Sequence, residues 1–339
     1  MVRRFAVTWA VCSAQPMAGN EERLRALVKS GLQQLGSPDA LASKAGQMLP
    51  APVRRVVLGR ALDGVELSLC LHRVLPSPRA TDWQSGLSIP APVLEALIDE
   101  LLRARSGSPG GWLSVTFDDG YRDAGEWLLV NAPRFPDVDF VFFICPEKTE
   151  ARTGFRWDLV EERLKSGTPR DEAIGLMAPV PDVLTENLRP ELQALPALPE
   201  YPLTAVDELR ALQELPNVKL GNHTNLHLSS TRFPDEVVKA DFERSTAHFE
   251  KLFGPLEHFA FPFGTPKHHF AQRHVQWLRA LGKFPIWTTE SRPFRPAEKG
   301  PSAVLPRFPV DGRQDAASLA GWIAARSLDF RVRGSKHHF

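Results

Sequence analysis

The chain has 339 residues, enough to bury a full-sized core as one large domain or as one domain with an appendage. Its 43% hydrophobic and 24% charged residues exclude a chain disordered throughout. A formal net charge of +1 supplies no field for gathering polyanions, so no nucleic acid is expected as a partner. The three cysteines, Cys12, Cys70 and Cys145, have neither disulfide-framework nor zinc-ribbon spacing.

In chain order, Arg3 and Arg4 precede Phe5–Ala14, a short apolar run interrupted by Thr8 and Ser13. The run is poor as a secretory signal, so a cytoplasmic location is favoured and export stays open. Glu21–Leu35 places Leu24, Leu27, Val28, Leu32 and Leu35 at helical spacing, and a second short helix is expected over Ala40–Met48. Arg54, Arg55 and Arg60 flank Val56-Val57-Leu58, a basic amphipathic patch expected to pack on the main domain, with peripheral membrane contact as the alternative. Residues 1–64 therefore read as a helical N-terminal appendage.

From residue 65 short β-prone runs alternate with helical stretches. Strands are expected at Val65–Leu71, Trp112–Phe117, Val138–Ile144, Val218–Leu220, Glu257–Phe261, Pro285–Thr289 and Ala303–Leu305. Helices are expected at Pro92–Ala104, Tyr121–Val130, Leu159–Lys165, Ala205–Glu214, Pro234–Phe253 and Ala271–Leu281. The alternation predicts an α/β fold over residues 65–330: a distorted, incomplete TIM-like (β/α) barrel. Thr168–Pro202 carries seven prolines and no periodicity, which suits an insertion at the barrel rim.

Polar clusters sit just after the predicted strands: His72-Arg73, Asp118-Asp119-Gly120, His223 and Phe263-Gly264. In a barrel of parallel strands these positions gather at one mouth. Consecutive strand residues point to opposite faces, so Asp118 and Asp119 can share a site only if the chain turns there, which Gly120 would permit. One carboxylate could then bind a cation while the other moves a proton. A surface Asp-Asp-Gly turn is the plain alternative. His223 and His227, four apart, could reach one ion from the start of a helix. With Asp119 they form an Asp-His-His set with open positions, suited to zinc or another divalent transition metal.

These segments resemble the polysaccharide deacetylases, carbohydrate esterase family four. Thr116–Gly120 matches the family's Thr-Phe-Asp-Asp-Gly; His223, Thr224 and His227 match His-Ser/Thr-x-x-His; Pro262-Phe263-Gly264 matches the end of the third motif. The likeness spans roughly residues 65–312, the size of one barrel domain. It implies Asp118 as general base and Asp119, His223 and His227 as ligands of one divalent ion, with Thr224 steadying the loop. A backbone amide near Phe263 would help hold the oxyanion.

Two departures stand out. Ala260 replaces the arginine that opens the third motif and pairs with the base, and the late Leu-x-His that supplies a general acid is absent. Leu71-His72-Arg73-Val74 resembles the early-strand histidine of the branch holding poly-N-acetylglucosamine and exopolysaccharide or lipopolysaccharide deacetylases, which implies His72 as the acid. Leu305-Pro306-Arg307 resembles a late element that would return the guanidinium to Asp118. Trp157-Asp158 resembles an aromatic-Asp pair of that branch, and Trp157 could stack on a sugar. Of His268, His269 and His274, at least two are expected in solvent; the histidines of the final Gly-Ser-Lys-His-His-Phe stay outside the metal argument.

The expected reaction is removal of an N-acetyl group from an N-acetylated glycan or lipid-linked sugar. A deformylase or small-amide hydrolase on the same scaffold, and a glycan-binding pseudoenzyme, are the alternatives.

Overall fold

The computed structural model describes residues 37–77, 85–106, 111–175 and 198–334. The Phe5–Ala14 run, the helix at Glu21–Leu35 and most of the proline-rich insertion lie outside the described residues. Residues 42–339 form one unit, to which everything below belongs.

Strands are β1 (Leu67–Leu71), β2 (Arg73–Leu75), β3 (Ser88–Pro90), β4 (Leu113–Phe117) and β5 (Val138–Ile144). They continue as β6 (Val218–Asn222), β7 (Phe259–Ala260), β8 (Ile286–Trp287), β9 (Val304–Leu305) and β10 (Phe308–Pro309). Eight of them form one sheet in the order β10-β1-β4-β5-β6-β7-β8-β9, with every neighbouring pair parallel. The two edge strands, β9 and β10, are separated in the chain only by Pro306-Arg307. Three residue steps reach at most about 10 Å, so the edges must meet and the sheet curls into a barrel. Closure by two-residue strands makes it an incomplete relative of the TIM barrel. β2 and β3 pair separately in a small parallel ribbon that the sequence reading did not foresee.

Strand periodicity sorts the side chains. Leu67, Leu69 and Leu71 of β1, Leu113, Val115 and Phe117 of β4, and Phe140, Phe142 and Ile144 of β5 belong to the main core beneath the helices. The helix Ala91–Ala104 meets that layer with Leu94, Leu97, Ile98 and Leu101, one apolar stripe at 3.6-residue spacing. The alternate residues Val141, Phe143, Ala260, Trp287 and Leu305, joined by Phe294, form a second cluster inside the barrel. Gly221 is required there: a Cβ would stand 2.4 Å from the Phe143 ring.

Two helical regions differ from expectation. In the helix Ala51–Leu62, Leu58, Ala61 and Leu62 enter the core, while Val53, Val56 and Val57 are exposed. The helical period turns Val56 and Val57 away from the face that holds Leu58, so of the three only Leu58 packs on the main domain as expected. The helix Ala316–Arg333 was not anticipated, although Asp315 caps it by accepting the Ser318 N–H at 2.8 Å. Its Leu319, Ala320, Ile323 and Ala324 are buried.

Candidate metal centre

Extending each strand's inward register past its end places the site. On β1 the inward positions are Ser68 and Cys70, and the next is His72. On β4 they are Ser114 and Thr116, then Asp118. On β6 the inward Gly221 is followed by His223, and on the β9–β10 seam Leu305 is followed by Arg307. The period of two thus aims His72, Asp118, His223 and Arg307 at the mouth.

Asp119 falls on the wrong parity and is rescued by its backbone. Its φ is 73°, followed by 77° at Gly120, so the left-handed turn begins at the aspartate itself. Non-glycine residues seldom adopt this region, yet Thr224 (66°), His227 (52°) and Phe263 (61°) do so as well. Of the six such residues among those described, four are in the site, where strain is held by surrounding contacts.

His223–His227 is not the start of a helix, as expected, but a loop. The Thr224 N–H donates to Asn222 Oδ1 at 2.8 Å, and the His227 N–H donates to Thr224 Oγ1 at 3.0 Å. These side-chain turns fold the loop back on itself. Asp241 on the helix Asp235–Phe253 accepts the Asn225 and Leu226 N–H groups at 3.2 and 3.3 Å. Both imidazoles then face Asp119: His223 Nε2 is 3.6 Å and His227 Nε2 3.1 Å from Oδ1.

The ligand atoms of Asp119, His223 and His227 all lie within 4.8 Å of one another. Asp119 Oδ1 is buried and has no hydrogen-bond partner among the described residues, the condition of an oxygen built to meet a cation. His223 Nδ1 lies 2.9 Å from Ala260 O, which assigns the proton to Nδ1 and leaves the Nε2 lone pair free. Burial pushes the His223 imidazole below its ordinary range, and burial with the Lys148 ammonium lowers His227 to about 3. Both are therefore neutral, as ligation demands. The carboxylate-imidazole-imidazole set fits a divalent transition ion.

Asp118 has other partners. Its carboxylate accepts Arg307 Nη1 at 2.6 Å and Nη2 at 2.9 Å, and both side chains are buried. Arg307 also donates from Nε to Thr288 O and from Nη1 to Thr116 Oγ1. Burial alone would raise the Asp118 carboxyl; Arg307, aided by His223, outweighs it and holds the group well below the carboxylate range. Asp119 lacks such a partner, and burial raises it against the pull of His72 and His223.

His72 is half-buried between β1 and β2. Burial lowers its imidazole, against the pull of Asp119 and Asp118. It is not among the three converging ligands. Phe263 is 47% exposed, with its ring 5.0 Å from that of His227. The Trp157 ring lies 4.7 Å from that of His227. Of the three histidines after the third motif only His268 is exposed. His274 is fully buried, and its Nδ1 accepts the Ala271 N–H to cap its own helix.

Asp158 escaped the sequence reading as more than half of a motif. Burial raises its carboxyl to about 7, although the Tyr121 O–H and Phe155 N–H donate to it. The folded chain thus keeps a proton that the unfolded chain releases near pH 4, so stability falls as pH rises between about 4 and 7. Asp158→Asn in metal-free protein is expected to flatten that slope. Urea titrations at pH 4.5 and 7 check it, and an unchanged slope contradicts it.

The family model for "Polysaccharide deacetylase" matches residues 106–282, over half of the chain. No curated protein matches. Among solved structures, IcaB from Ammonifex degensii matches at 19% identity and a TM-score of 0.49, covering 77% of this chain and 97% of its own. The Streptococcus pyogenes deacetylase PplD, solved in complex with acetate, matches at 14% and 0.48 over 76% and 98%. A polysaccharide deacetylase from Bacillus cereus matches at 13% and 0.47 over 76% and 69%. With its motifs in place at one barrel mouth, the chain belongs to the polysaccharide deacetylase family and is a hydrolase of N-acetyl C–N bonds.

Proposed function

We propose that the protein is a zinc-dependent N-deacetylase of an amino sugar, presented within a glycan or a lipid-linked saccharide. The convergence of Asp119, His223 and His227 beside an arginine-paired Asp118 carries this reading. When bound, the ion would supply Lewis acidity to the acyl carbonyl and acidify water.

The chain's own residues do the rest. Asp118, kept ionised by Arg307, takes the proton of the attacking water, and the guanidinium fork holds the carboxylate in one orientation. A backbone amide near Phe263 faces the developing oxyanion. The Phe263 and Trp157 rings offer apolar faces to the sugar. His72 stands on the inward register of the neighbouring strand and protonates the leaving amine. Burial lowers its imidazole, so the ring takes a proton from solvent in each cycle before passing it to the amine, while Asp118 returns the proton of the attacking water to solvent.

Acetate release from N-acetylated oligosaccharides tests the function, with zinc-loaded protein compared against chelated protein and His227→Ala. Absence of zinc-dependent release across polymeric and lipid-linked substrates would refute it. His72→Ala is expected to lower kcat by about 10²-fold or more with KM little changed, since the lost contact belongs to the transition state. Normal turnover in this variant would assign the acid elsewhere.

A further inference from the structure

The two histidines of the candidate metal centre are held in different ways. His223 is oriented by a hydrogen bond, Nδ1 to Ala260 O at 2.9 Å, the usual support of an imidazole ligand. His227 has no such bond: its Nδ1 is buried and, among the described residues, meets no hydrogen-bond partner on another residue. Aromatic edges surround its ring instead. Trp157 stands 4.7 Å away at 62°, Phe155 5.5 Å at 73° and Phe263 5.0 Å at 69°.

Of these rings Phe263 is half exposed, so the fixed wall is Phe155 with Trp157. The two stack face to face, 4.4 Å apart and 11° from parallel. Stacking alone lets a ring slide, but the Trp157 indole N–H also donates to the Tyr121 hydroxyl at 2.7 Å. Tyr121 in turn donates to the Asp158 carboxyl group, 2.8 and 2.9 Å from its two oxygens. Asp158 is pinned by the Phe155 N–H at 3.2 Å, which returns the chain of contacts to the ring beneath Trp157. On its far side the Tyr121 ring lies under the Arg73 guanidinium, 4.9 Å from its centroid. All of Tyr121, Phe155 and Asp158 are buried, so this chain is shielded from water and holds one geometry.

We propose that Tyr121 and Asp158 are positioning residues for the ligand His227, acting through Trp157. The Asp158–Tyr121–Trp157 relay replaces the hydrogen bond that His227 Nδ1 lacks. It fixes the indole, and the indole fixes the imidazole plane that presents Nε2 to the ion. The inference rests on the metal reading above, and it deepens that reading by naming what orients its least tethered ligand.

The test is zinc affinity of the full chain, by competition with a chromophoric chelator, in wild type, Tyr121→Phe, Trp157→Phe and the double variant. Tyr121→Phe keeps the buried ring and loses the hydroxyl; Trp157→Phe keeps an aromatic edge on His227 and leaves the Tyr121–Asp158 bond intact. Each single variant is expected to weaken zinc binding by about tenfold or more, in the range seen when a ligand's supporting contact is removed. Because both cut one relay, the double variant should be no weaker than the worse single. A merely structural role would lower the melting temperature of the metal-free protein and leave zinc affinity of the folded protein unchanged. Wild-type affinity retained in either single variant, or additive losses in the double, overturns the proposal while the metal reading stands. Wild-type protein that binds no zinc overturns both.

Discussion

Asp118→Asn is expected to lower turnover by about 10²–10⁴-fold while zinc still binds, because the substitution removes the proton acceptor and leaves Asp119, His223 and His227 in place. The structure adds a second consequence. Arg307 donates to both Asp118 oxygens in a buried site, and an amide can accept only one of those bonds. The variant leaves a buried guanidinium without its counter-charge, a loss on the order of 3–5 kcal/mol when one partner of a buried pair is removed. Kinetics must therefore be measured well below the variant's melting temperature, with metal content determined on the same sample. Activity near wild type in folded, zinc-loaded protein would reverse the roles assigned to the two aspartates.

Arg307→Met removes the other half of the pair and is expected to act on stability and on pH together. The guanidinium bridges Asp118, Thr116 and Thr288 at the seam where β9 passes into β10, so its loss loosens barrel closure as well as the site. Destabilisation on the order of 3–5 kcal/mol is again the scale. Arg307 is also what counters burial at Asp118. Without it burial raises the carboxyl, the base is protonated over more of the acid range, and the acidic limb of kcat/KM moves to higher pH. A destabilised variant whose acidic limb stays put would make Arg307 a structural brace alone.

Much of this site is legible in the amino-acid sequence. Strand-period runs located β1, β4, β5 and β6 closely, and the polar residues after them were the ones that converge. Leucines and phenylalanines at alternate positions dictate which face of a strand is buried under helices, and parity then aims His72, Asp118 and His223 inward. The two-residue strands β7 to β10 were found less sharply, and β10 not at all, because so short a run carries no periodicity to read. The helix Ala316–Arg333 is the opposite case: it carries both a cap at Asp315 and an apolar stripe, but lies beyond the strand–helix alternation that marks the barrel.

By itself, then, the sequence determined the candidate ligand types, their order, the fold class and the inward register, since all of these follow from residue chemistry and from periods of two and 3.6. Only the tertiary structure decided that the turn bringing Asp119 round begins at Asp119, and that His223 and His227 meet through side-chain turns in place of a helix. It also decided that Arg307 reaches Asp118 across 189 residues. The reason is physical. Pattern and propensity are local quantities, whereas a left-handed backbone is held against its cost by contacts from distant strands, and an ion pair forms where barrel closure puts its two halves. Burial, which no single segment creates, is what keeps the two imidazoles neutral and makes Arg307 necessary to hold Asp118 ionised.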